Sequence, residues 1–192
     1  MKSRLGSFNI YLCAAAVFLG AGCGSIHLSG KKEYTFLQVY LEARNGAATG
    51  AQMVKVLNIP MYVEPRPFLT EVDVTQAKLV EAPDGTYAVQ VMFTDEGSLE
   101  LDMTSSSSKQ LNLVIYTLYP QPGGKESKSG DVFAAEKTSP GQTRVSSWTA
   151  APIVSNLSSG TLEFTPVVTH AEAERIVRGL NNMAADLKTG RR

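Results

Sequence analysis

The sequence predicts an α+β protein in which two helices pack on one face of an antiparallel sheet. Three observations lead there. Stretches of period-two alternation recur along the chain, two of them are joined by a short Pro-Asp-Gly turn, and a long helix with one apolar stripe closes the chain. At 192 residues, 43% hydrophobic and 19% charged, the composition is that of one ordinary globular domain.

In chain order, Lys2 and Arg4 precede an apolar run from Ile10 to Ala21, the form of a secretory signal. The run is too short to span a bilayer, which takes roughly 20 apolar residues. It ends Leu19-Gly20-Ala21-Gly22-Cys23. That ending resembles the lipobox of bacterial lipoproteins, although the family usually has its leucine one place nearer the cysteine. The resemblance implies removal of residues 1–22, lipidation of Cys23, and a domain held in the cell envelope by a lipid anchor, facing the periplasm or the exterior. A plain secretory signal cut near Gly22 is the alternative. The mature chain would hold 16 basic and 18 acidic side chains. It has no polybasic run, so neither nucleic acid nor an anionic membrane surface is an expected partner. Cys13 leaves with the signal and Cys23 carries lipid, which leaves no disulfide to stabilise the fold.

Residues 23–33 are small and polar and read as a tether to a single domain over residues 34–190. Tyr34 to Glu42 alternates as a strand, with Leu37, Val39 and Leu41 opposite Phe36 and Tyr40. Met53 to Ile59 is a second apolar run. Pro60, Pro65 and Pro67 then confine the chain to a sheet edge, because proline cannot donate to a ladder. Ala77 to Ala82, Pro83-Asp84-Gly85 and Thr86 to Phe93 form a hairpin whose second strand turns Tyr87, Val89, Val91 and Phe93 to one face. Thr94, Asp95 and Glu96 start a helix, with acidic groups suited to its N-terminal dipole. Leu99, Leu101 and Met103 are its apolar residues, and it fades into the hydroxyl run Thr104 to Ser108.

Leu111 to Tyr119 is the most apolar strand and is expected at the centre of the sheet. Residues 120–143 read as a long mobile loop, and Arg144 to Val154 as a strand with the sole tryptophan, Trp148. Thr161 to Pro166 alternates again. Thr169 and Glu172 have capping-box spacing. After them Ala173, Ile176, Val177, Leu180, Ala184 and Leu187 make one helical face. Glu174, Arg175, Arg178, Asn181, Asn182 and Asp186 make the opposite one, and Gly190 is the stop.

The sequence holds no Gly-x-Ser-x-Gly elbow, no phosphate-cradling loop and no His-x-x-x-His pair. Its two histidines, His27 and His170, fall in the tether and at a helix start, so no metal site and no cofactor is expected. Ser105 to Ser108 has no activating base in reach and reads as a solvated helix end. No catalytic residue is assigned. Trp148, as core or contact, and Phe133, an aromatic in a polar loop, are the candidate partner contacts. Two function classes follow: a lipid-anchored module that binds protein partners or secreted polypeptide, or a small envelope hydrolase or carbohydrate-binding protein.

One family gives the order of elements further meaning. Phe68-Leu69-Thr70, Val91-Met92-Phe93-Thr94-Asp95-Glu96-Gly97, Leu113-Val114-Ile115, Ala151-Pro152-Ile153-Val154 and Phe164-Thr165 leading to Glu172-Ala173 occur in that order over residues 69–187. This set resembles the head of the first periplasmic domain of SecD, a subunit of the bacterial protein-export machinery. The resemblance implies the α+β fold and, by analogy, contact with polypeptide rather than its transformation. The polytopic membrane part of that subunit has no counterpart in this sequence, and residues 120–143 replace what is a short turn there.

Overall fold

The computed structural model describes residues 32–44, 50–121 and 143–190. Its strands are β1 (Phe36–Leu41), β2 (Gln52–Val56), β3 (Ile59–Val63), β4 (Leu69–Thr70), β5 (Val74–Glu81), β6 (Tyr87–Phe93), β7 (Asn112–Gln121), β8 (Thr143–Pro152) and β9 (Thr161–Phe164). Two α-helices, α1 (Asp95–Ser107) and α2 (His170–Lys188), complete the α+β architecture, and all strand pairs are antiparallel. No described helix is long and apolar enough to cross a membrane.

The strands form three sheets where the sequence suggested one: β4-β1-β7-β8, the hairpin β2-β3, and β5-β6-β9. The reason lies in β1 and β7, which are apolar on both faces and must be covered on both. Leu37, Val39, Leu113, Ile115 and Tyr119 turn into the main core, which they share with β5, β6, β9 and both helices. Tyr40 and Val114 turn the other way and form a second, smaller core with Val56 and Val63 of the hairpin. The hairpin covers that reverse face. β7 is central in its sheet, as its apolar run requires, but it extends through Pro120 and Gln121, which pair with Arg144 and Thr143.

The β2–β3 turn is missing from the sequence reading because its signal is atypical. Leu57 and Asn58 adopt φ of 50° and 66°, the left-handed pair of a two-residue hairpin turn usually signalled by Asn-Gly. The hairpin β5–β6 follows its Pro-Asp-Gly turn as read. Gly85 supplies the positive φ of 82°, and Val89, Val91 and Phe93 all point inward.

Helix α2 lies chiefly on β5 and also touches β1, β6 and β7. Thr169 and Glu172 form the capping box, and Gly190 takes the left-handed position past the C-terminus. Gly179 and Met183 join its buried stripe, and Asp186 on the supposed polar face is buried as well. Helix α1, against β6 and β4, departs further from the sequence reading. It runs through Ser107, and its buried line is Gly97, Leu101 and Ser105. Ser105 is fully buried rather than solvated: its Oγ accepts a bond from the Leu157 N–H at 2.9 Å and donates to the Asp102 carbonyl at 3.1 Å. A hydroxyl so placed satisfies a loop amide that water cannot reach.

Candidate partner-binding surface

The face of the four-stranded sheet that the hairpin only partly covers is lined with aromatic side chains. Strand register fixes which residues share it. Gln38, Tyr116 and Trp148 lie side by side in one row, and Phe36, Leu118 and Ser146 in the next. Tyr116 and Trp148 are tilted rings with centroids 4.7 Å apart, and the Tyr40 ring lies 5.8 Å from Trp148. The Arg144 guanidinium sits 4.9 Å from the Phe36 ring centroid, the geometry of a cation–π contact. Tyr40 is buried, whereas Phe36, Tyr116, Leu118 and Trp148 are only half-buried. Burial pushes the Tyr40 phenol up from its usual range, and neighbouring Tyr116 adds to the shift.

Strand β8 borders this face and is an outer strand of its sheet. The Ile153 N–H bonds to the Leu111 carbonyl, so the alternate residues Arg144, Trp148 and Ala150 aim their backbone groups away from β7. β2 and β9 both approach this strand. The hairpin adds more apolar surface, with Met53, Leu57, Ile59 and Tyr62 exposed along it.

A set of ionisable groups lies elsewhere, at the start of α2. The Glu172 carboxylate accepts from the Thr169 N–H at 2.8 Å and the Thr169 hydroxyl at 2.7 Å. Burial and that carboxylate together hold the Tyr119 phenol protonated far above its ordinary range. Tyr87 donates to the Val168 carbonyl, and its ring meets His170 edge-on at 5.2 Å. His170 Nε2 lies 2.9 Å from Glu81 Oε1, and its Nδ1 lies 3.7 Å from Glu174. The carboxylates here are engaged in capping or in pairing with histidine. The chemistry of this cluster is to fasten the helix N-terminus to the core. Among the described residues no group of histidine, cysteine and carboxylate side chains is arranged to hold a metal.

Of the contacts suggested by the sequence, Trp148 falls within the aromatic face, while Phe133 and Cys23 lie outside the described residues, as do the signal and most of the long loop. Phe36, Tyr116 and Arg144 join Trp148 through strand register alone, and no local motif signals that meeting. Lys32 and Glu33, read as part of the tether, are bonded to α2. Lys32 Nζ lies 2.6 Å from Asp186 Oδ1, and the Glu33 carbonyl accepts from Asn182 at 3.0 Å.

The molecule is thus an antiparallel α+β domain whose four-stranded sheet carries a half-buried aromatic face. No known protein family matches its sequence, and no curated protein does. Among solved structures it is similar to SecDF, described as a membrane component that enhances protein export. The two share 16% identity at a TM-score of 0.48, over 78% of this chain and 63% of that one. A crystal structure of SecDF in a super-membrane-facing form is similar at 16% identity and a TM-score of 0.49, over 78% of this chain and 19% of that one. The chain therefore spans less than two thirds of the first structure and about a fifth of the second.

Proposed function

We propose that this protein is a non-catalytic domain, tethered to an envelope membrane through lipidated Cys23, that binds polypeptide across the aromatic face of its four-stranded sheet. The observation that carries the reading is the half-buried Tyr116–Trp148 ring contact beside Phe36 and Arg144. Rigid aromatic rings flanked by an arginine are the side chains that dominate protein interfaces, since they bury large area at low entropy cost. A partner in extended form gains main-chain bonds if it also runs along the outer strand β8. The resemblance of the sequence motifs to the SecD head agrees with contact rather than turnover, and the lipobox-like ending at Cys23 supports the anchor.

Trp148 is the only tryptophan, so intrinsic fluorescence of the full-length protein reports on this face directly. Adding an unfolded secreted polypeptide is expected to shift that emission. Replacing Arg144 with alanine, which leaves the second core intact, should weaken binding about tenfold, the scale of one interface anchor. Crosslinking in native envelopes should capture the partner through the same face. Saturable turnover of an ester, peptide or glycan substrate, abolished by a single side-chain change, would overturn the reading. For the anchor, Cys23→Ser should move the protein out of the membrane pellet or leave it unprocessed.

A further inference from the structure

Helix α1 turns its apolar side chains outward in a way that packing does not explain. Its buried line holds one large residue, Leu101, between Gly97 and Ser105. Leu99 and Met103, four residues apart, are 61% and 64% exposed. Glu96 and Glu100, also four apart, share the outward arc that 3.6 residues per turn defines, and both are exposed. Asp95 and Asp102 bring the carboxylates of Asp95–Ser107 to four, and the helix contains no lysine or arginine. Neither feature of this face favours folding. Like charges at this spacing repel, and apolar side chains left in water contribute nothing to folding. A local pattern that works against its own fold is expected where the surface serves another purpose.

We infer that the outward face of α1 is a second docking surface, separate from the aromatic face, and that its occupant is a cationic amphipathic segment of a polypeptide partner. Apolar side chains of that segment seat on the Leu99–Met103 ridge, and its lysines or arginines meet Glu96 and Glu100. The charge on the ridge selects this occupant. Carboxylates beside the apolar pair repel acidic segments and an anionic bilayer alike, whereas a basic segment gains both terms at once. Attraction between exposed charges falls with salt, so binding here weakens as ionic strength rises.

The test uses the full-length protein in zwitterionic nanodiscs, with two fluorescent helical peptides as probes, one of leucine and lysine and one of leucine and glutamate. Empty discs give the background. The wild type is expected to prefer the lysine peptide, and the preference should shrink with added salt. Glu96→Lys with Glu100→Lys should invert the preference, an outcome that the disc cannot produce. Leu99→Ser with Met103→Ser should weaken the lysine peptide by about tenfold. All four positions are exposed, so thermal unfolding should stay near that of the wild type. An unchanged preference after charge reversal, or affinity within about twofold after the serine changes, overturns the proposal. Peptide binding lost on Arg144→Ala but insensitive to every α1 change also overturns it, and leaves the aromatic-face reading standing.

Discussion

At Gly179, α2 passes close to Thr35, just ahead of β1. A Cβ at that position would lie 2.2 Å from Thr35 Oγ1 and 2.7 Å from its backbone nitrogen, so no side chain fits without moving the helix. Gly179→Ala is therefore expected to destabilise by about 1–3 kcal/mol, the usual penalty for overpacking. It should lower the urea midpoint without altering the slope. Thr35 carries the opposite expectation. Its hydroxyl is buried and has no partner among the described residues, so Thr35→Val should be neutral or raise stability by about 1 kcal/mol. A clear loss would show that the hydroxyl has a use. Tyr119 gives a pH signature. Its folded-state pKa lies above the unfolded value of 10.0, so its contribution is fully present below pH 10 and is lost as pH rises past that value. Tyr119→Phe should flatten the alkaline loss of stability. An alkaline limb as steep as that of the wild type would assign the loss to other groups.

Elements fixed by near neighbours in the chain could be read from it, and those fixed by distant partners could not. The capping box of α2, the Pro-Asp-Gly hairpin and the alternation of β1 depend on spacings of a few residues, and each stands where the sequence put it. The face of α1 did not reveal itself, because Leu99, Leu101 and Met103 offer two possible stripes and only the close packing of Gly97 and the bond of Ser105 to the Leu157 loop select one. Gly97 shows how close that packing is: a Cβ there would stand 3.1 Å from both Asp73 Cβ and Phe93 Cβ. Within the candidate site, Trp148 was legible as an aromatic on a strand, but its partners Tyr116, Phe36 and Arg144 required the register of three strands. The β2–β3 hairpin was missed because Leu57 occupies a left-handed position that asparagine or glycine tolerates better. Leu57→Asn should accordingly stabilise the hairpin by up to about 1 kcal/mol, seen as a higher unfolding temperature. A lower one would mean that the exposed leucine packs against something in the native protein.

At the scale of the whole molecule, α2 is the element that joins two sheets, and it does so through polar side chains. Asn181 accepts from the Ala77 N–H at 2.8 Å and donates to the Ala77 carbonyl at 3.0 Å, closing the edge of β5 as a neighbouring strand would. One turn on, the Asp186 carboxylate takes Lys32 Nζ and the Tyr34 hydroxyl, each at 2.6 Å, and so fastens the segment leading into β1. Amphipathic patterning assigned these residues to solvent because it counts polarity and cannot see a polar group that meets a polar partner inside. Lys32 and Tyr34 lie just ahead of β1, so Asp186 clamps that segment to α2. Lys32 is half exposed and contributes little on its own, so the main loss in Asp186→Ala is the charged acceptor of the Tyr34 hydroxyl. That loss is expected to destabilise by about 2 kcal/mol, with amide exchange quickening at Thr35 to Leu37 well before it does in β6. Peptide binding to the aromatic face and to α1 should be unchanged. Uniform acceleration of exchange throughout the domain would show instead that Asp186 supports the global fold and that the clamp is not a separate unit.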